Sequence, residues 1–243
     1  MIRFLIIPLL LWLGQPVTVV TDPGAETNKY DVRYFYGSLN TKVAVATFSL
    51  TPTVWEGREV YKSNISVKVQ PIFRLFMHAQ YVVEAFFSRP GMKPVYYTTS
   101  TNKGSAWCRY SEGEEGVVFW RKFGKMPEPE VFTYPNDDRT FEVVSLLYFA
   151  RTHDFEVGVP CEVNVLMGGR KIRSTLTLER YDTERYPGHN ARVLHLYMQD
   201  RGIMENKSGQ DIYLWTDAQG THTVLGLQVS LGKRGTMVCH IKE

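Results

Sequence analysis

The sequence predicts a mainly β protein: a large antiparallel, barrel-like curved sheet wrapped around one short buried helix. Three observations lead there. Short runs with period-two alternation, separated by Gly, Pro and Asn turns, follow one another along most of the chain. Aromatic residues are abundant at 13%, with 14 Tyr and 13 Phe, and such side chains suit strands. Against this background only Phe141 to Arg151 reads as a helix. Val143, Val144, Leu146, Leu147, Tyr148, Phe149 and Ala150 cover nearly its whole circumference, and a helix apolar all round is expected to be buried on all sides. Its length of about 11 residues falls well short of the ~20 that cross a bilayer. The sheet is therefore expected to supply its surroundings.

The elements follow in order. Met1 to Gly14 has the form of a secretory leader: Arg3 gives a positive start, and Phe4 to Leu13 is an apolar stretch broken only by Pro8. Removal is expected to extend to about Ala25, which makes residues 1–25 a leader and residues 26–243 one β domain. No Cys follows the apolar stretch, so a lipid anchor is not offered, and an exported, periplasmic location is the expectation. Strands begin near Tyr30, with a first pair over Arg33–Leu39 and Lys42–Leu50. The clearest alternation is Val60–Gln70, where Tyr61, Ile65, Val67 and Val69 face one way and Lys62, Asn64, Ser66 and Lys68 the other. Pro71–Met77 is apolar without a period and reads as a short helical turn or a crossing segment. Tyr81–Phe87, Val95–Ser100, Ala106–Ser111, Val117–Phe123 and Val131–Tyr134 complete the strands before the helix.

Asp137, Asp138 and Thr140 are the candidate helix caps, with Glu142 in the first turn and Arg151 and His153 at the end, as the helix dipole favours. Beyond it, Cys161–Met167 and Arg170–Arg180 flank Gly168-Gly169, a two-residue hairpin signal in which both residues tolerate positive φ. Ala191–Gln199, Asp211–Thr216, Thr223–Ser230 and Thr236–Ile241 follow, the last two joined through Gly232–Gly235.

Tyr30-Asp31-Val32-Arg33-Tyr34, the Val143–Arg151 segment, the Gly-Gly hairpin and Ile212–Asp217 occur in an order that resembles the domain-of-unknown-function 3108 family of exported Gram-negative envelope proteins. Within it, Ser145, Tyr148 and Arg151 match a Ser-x-x-Tyr-x-x-Arg pattern, and Trp215 and Asp217 match a strand end. Ala218–His222 departs from the Arg and Pro that follow in that family. The resemblance implies an antiparallel barrel-like fold and export, and no known reaction.

The chemistry offered is sparse. A formal charge of +3, from 28 basic and 25 acidic residues, is too balanced to argue for nucleic acid. The six histidines (His78, His153, His189, His195, His222, His240) have no helical metal-ligand spacing, and Cys108, Cys161 and Cys239 form no C-x-x-C pair. No nucleophile elbow, phosphate loop or dinucleotide fingerprint is present, so no catalytic residue, metal or cofactor is named. The candidate ligand-binding residues are Arg151 and Tyr148 on the helix with Phe73, Phe76 and Trp120 from the strands and their connections. Two readings of Arg151 stay open: a cation on the last helix carbonyls, or an anchor for an anionic head group at a cavity mouth.

The expected function is that of a non-enzymatic exported β domain binding a hydrophobic or amphipathic ligand, a lipid or an envelope component. The alternatives are a packed envelope scaffold and an enzyme acting on envelope polymers; a close His–carboxylate pair in a cleft favours the enzyme.

Overall fold

The structure is a computed structural model describing residues 22–74, 80–89, 91–101, 104–110, 117–123, 127–128, 130–135, 139–167, 170–199 and 209–242. Residues 1–21 of the leader expected over 1–25 lie outside them, as do Asp137, Asp138, Gly168 and Gly169. Among the described residues fifteen strands make one sheet. The first half runs β1 (Glu26–Tyr36), β2 (Leu39–Trp55), β3 (Arg58–Val69), β4 (Gln80–Ser88), β5 (Pro94–Thr101), β6 (Gly104–Tyr110), β7 (Val117–Phe123) and β8 (Glu130–Tyr134). After β9 (Thr140–Glu142) and the helix α1 (Val143–Thr152) come β10 (Pro160–Met167), β11 (Arg170–Asp182), β12 (Ala191–Met198), β13 (Gln210–Asp217), β14 (Val224–Ser230) and β15 (Thr236–Ile241). Pro71–Phe73 is one turn of 3-10 helix, the short helical turn among the two sequence readings of that stretch.

Each strand pairs with its sequence neighbour, and β1 pairs with β15, so the two ends of the fold meet at the middle of the sheet while β8 and β9 form its edges. The sheet curves without closing into a barrel. The cause is local. β9 pairs with β10 in parallel, through α1, so the meander ends there and, among the described residues, β8 pairs with β7 alone. The described ladders are otherwise antiparallel, as alternating strands with one wet face require. Met167 pairs with Arg170, the register of a two-residue connection across 168–169.

The inner face follows the alternation. Tyr30 and Val32 of β1, Ala44, Ala46 and Phe48 of β2, and Val163, Val165, Ile172, Leu176, Leu178, Leu194 and Leu214 of the second half pack with Leu146 and Ala150 of α1. A second group, Leu50, Tyr61, Val83, Ala85 and Phe87, packs on Val144 and Tyr148. At the β14–β15 connection Gly235 has φ 98°, and a Cβ there would lie 2.2 Å from the Phe35 carbonyl oxygen. That close approach, with the positive φ, is why glycine stands at this position.

Two expectations about the helix change. It begins at Val143 instead of Phe141, because Thr140–Glu142 is committed to the parallel ladder with β10 and cannot enter a helical turn. Its cap is neither Thr140 nor an upstream Asp but Glu142 itself. The helix is also not buried all round: Val143 is 40% exposed and Leu147 and Phe149 are half-buried. The sheet is open at its β8 edge, so it cannot cover every side. Leu147→Ala is accordingly expected to cost about 1–2 kcal/mol in urea unfolding, less than removal of a fully buried Leu.

Candidate functional site

The helix N-terminus is built from a strand residue. Both Glu142 carboxylate oxygens accept from α1, one from the Val144 amide at 2.6 Å and the other from the Ser145 amide. The Glu142 amide in turn donates to Ser145 Oγ at 3.2 Å, closing a reciprocal capping box. Glu142 is buried, and burial pushes its carboxyl up to about 7 despite the two amides that favour the charged form.

One and a half turns later Tyr148 lies against Phe87, ring centroids 5.0 Å apart, and accepts from Ser63 Oγ at 3.4 Å. The next residue on that face is Arg151, 1% exposed. Its guanidinium donates from Nε to the His222 carbonyl at 2.8 Å, and from its terminal nitrogens to the Thr221 carbonyl at 3.0 Å and to both Glu26 carboxylate oxygens. Its carbon also stands 5.0 Å from the centre of the Tyr148 ring. The last helix carbonyls go to another arginine. Arg192 of β12 donates to the carbonyls of Ala150, Arg151 and His153 at 3.1–3.2 Å. Ser145, Tyr148 and Arg151 thus cap the helix, seat it on β3 and β4, and tie it to β1 and the 221–222 turn.

A polar group lies on the inner face beside the seam where a barrel would close. Tyr97 and Thr99 of β5 and Cys108 and Tyr110 of β6 point inward, and Cys108, Tyr110, Phe132, Tyr134 and Leu166 of β10 pack together. Among the described residues, the hydroxyls of Tyr110 and Thr99 are buried without a hydrogen-bond partner. Burial raises the Tyr97 and Tyr110 phenols well above their usual value and the Cys108 thiol to about 12. Leaving a buried polar atom unpaired costs about 1–3 kcal/mol, so such atoms call for an explanation.

The residues singled out in the sequence do not all meet. Arg151 and Tyr148 touch. Phe73 is half-buried against the main core. Phe76 lies outside the described residues, as does the ring of Trp120, whose backbone pairs with Trp107 and Val131. Sequence reasoning missed Glu26, Arg192 and Tyr110, and placed Glu142 in the first turn without seeing it as the cap. Glu142 had a readable signal, its three-residue spacing from Ser145; the others are positioned by strand register and had none.

Outside the sheet, the 183–190 connection folds over Val193, Trp215 and Leu225 and forms a cleft of about 350 Å³ lined by Arg185, Tyr186, Pro187, His189, His240 and Ile241. His189 Nδ1 lies 2.7 Å from Asp217 Oδ2 there. Among the described residues no helix is long and apolar enough to cross a membrane, and no group of three or more metal-ligating side chains gathers.

A comparison with curated proteins finds no match. The sequence profile of DUF3108, described as a protein of unknown function, matches residues 29–239 of the 243, spanning the sheet from β1 to β15 together with the Ser145, Tyr148 and Arg151 network. The chain belongs to the DUF3108 family.

Proposed function

We propose that this protein is a non-enzymatic exported component of the Gram-negative envelope, periplasmic once its leader is removed, that binds an amphipathic ligand at the seam of its sheet. The observation that carries the reading is the buried Tyr110 hydroxyl on the inner face, unpartnered among the described residues. A ligand head group there supplies the missing partner, while the half-buried Phe132 and Tyr134 offer an apolar surface to its chain. The His189–Asp217 pair is the feature an enzyme would need, but no Ser, Thr or Cys lines its cleft.

The test is native mass spectrometry of the mature protein from the periplasmic fraction. A co-purifying lipid is expected, and Tyr110→Phe is expected to lose it. The same variant is expected to keep or slightly raise its melting temperature, because it removes a hydroxyl that has no partner among the described residues. Recovery of ligand-free wild-type protein, with the leader intact, sinks both parts of the proposal.

A further inference from the structure

The outer cleft carries a second, independent site. Arg185 is exposed, yet its guanidinium is held, with its carbon 4.0 Å from the centre of the Trp215 ring and one terminal nitrogen 3.4 Å from Gln228 Oε1. Stacking and one neutral acceptor occupy few of its five N–H donors, and no carboxylate pairs with it among the described residues. The acidic groups nearby are already engaged. Asp182 accepts the amides of Glu184 and Arg185, Asp31 pairs with Lys42 at 2.7 Å, and Asp217 holds His189.

Tyr186 forms the floor. Its hydroxyl packs onto Gly226, where a Cβ would stand 1.7 Å away, and lies 3.2 Å from His240 Nδ1. A tyrosine and a neutral histidine own one O–H and one N–H between them. The bond between the two consumes one, so either tautomer leaves one donor over. His189 is different. A carboxylate only accepts, so the proton of a neutral His189 sits on Nδ1 toward Asp217, and Nε2 is left as an acceptor.

The cleft therefore combines a charged donor, a neutral donor and an acceptor around a space of about 350 Å³. We propose that it binds inorganic phosphate, an oxyanion that in its monohydrogen dianion form still carries a proton of its own, which a fully ionised phosphate monoester has lost. Arg185 takes the charged oxygens, the Tyr186–His240 pair donates to another, and the P–OH proton goes to His189 Nε2. Sulfate and phosphodiesters have the charge and lack that proton. The site is on the face opposite the seam, so it stands whether or not the seam binds a lipid.

The experiment is run at about pH 8, where inorganic phosphate is mainly the monohydrogen dianion and a phosphate monoester, with its second pKa at about 6, has lost its proton. Calorimetric titration uses inorganic phosphate and, for comparison, sulfate. Saturable phosphate binding at least about tenfold tighter than sulfate is expected. Arg185→Ala is expected to weaken it by at least about tenfold with an unchanged melting curve, since the residue is exposed. Absence of phosphate binding overturns the site, as does equal binding of phosphate and sulfate or binding indifferent to Arg185→Ala.

Discussion

Arg151→Ala is expected to cost about 3–5 kcal/mol, enough to leave a typical domain close to unfolding. The guanidinium is almost wholly buried, and removing it strands the Glu26 carboxylate and the carbonyls of Thr221 and His222 at once. Most of that loss is the cost of the orphaned partners. The double variant Glu26→Leu/Arg151→Met is therefore expected to recover a good part of it, giving a coupling of about 1–3 kcal/mol in a double-mutant cycle. Urea unfolding with circular dichroism reads both. An Arg151→Ala protein that keeps its stability but loses a lipid that co-purifies with the wild type would instead make Arg151 a ligand anchor, and the network described above would be incidental.

The second large effect depends on pH. Glu142 is expected to titrate near 7 in the fold and near 4.5 in the unfolded chain, because burial disfavours its charged form. Between those values the folded state holds a proton that the unfolded state has released. This group's contribution is then complete below about pH 4.5, is lost progressively as pH rises to about 7, and changes no further above that. The total is about 3 kcal/mol for the shift of 4.5 to about 7. His153 and His240, whose pKa values burial lowers, act in the opposite direction near and below 6.5, so the wild-type curve alone is a sum. Glu142→Gln isolates the term: its amide oxygen can still accept from one helix amide, and the difference from wild type is expected to change by about 3 kcal/mol across the window. A difference that stays flat from about pH 4.5 to 7 would show that the carboxyl is solvated in solution.

Much of the fold was legible because its signals are local. The alternation of Val60–Gln70 places Tyr61 and Val69 inside and Lys62 and Lys68 outside, and β3 has that arrangement. Met167 and Arg170 pair as the alternating runs around the Gly-Gly signal require. What failed to show is what depends on partners far along the chain. Nothing in Thr140-Phe141-Glu142 announces a parallel pairing with Asn164–Leu166, and that pairing moves the helix start, makes Glu142 a cap and stops the barrel from closing. The site was less legible still. Phe86 and Phe87 are adjacent phenylalanines of one predicted strand, yet Phe87 belongs to the core while Phe86 packs outside with Trp55 and Tyr96. Arg151 was noticed for its place at the end of an apolar run, but its role depends on Glu26, 125 residues earlier.

The pairing of β1 with β15 sets a kinetic constraint. On one side of β1, Tyr30 to Phe35 pair with Thr236 to Ile241, and the Tyr30 hydroxyl reaches the Val224 carbonyl. A loop of some two hundred residues has to close before the middle of the sheet exists, and such non-local contacts form slowly. As the chain emerges amino end first, β1 can gain β2 on one side while its other edge stays bare until β15 arrives. During that interval an unpaired strand is open to other chains. Folding yield for this protein is thus expected to be limited by the lifetime of that half-made sheet.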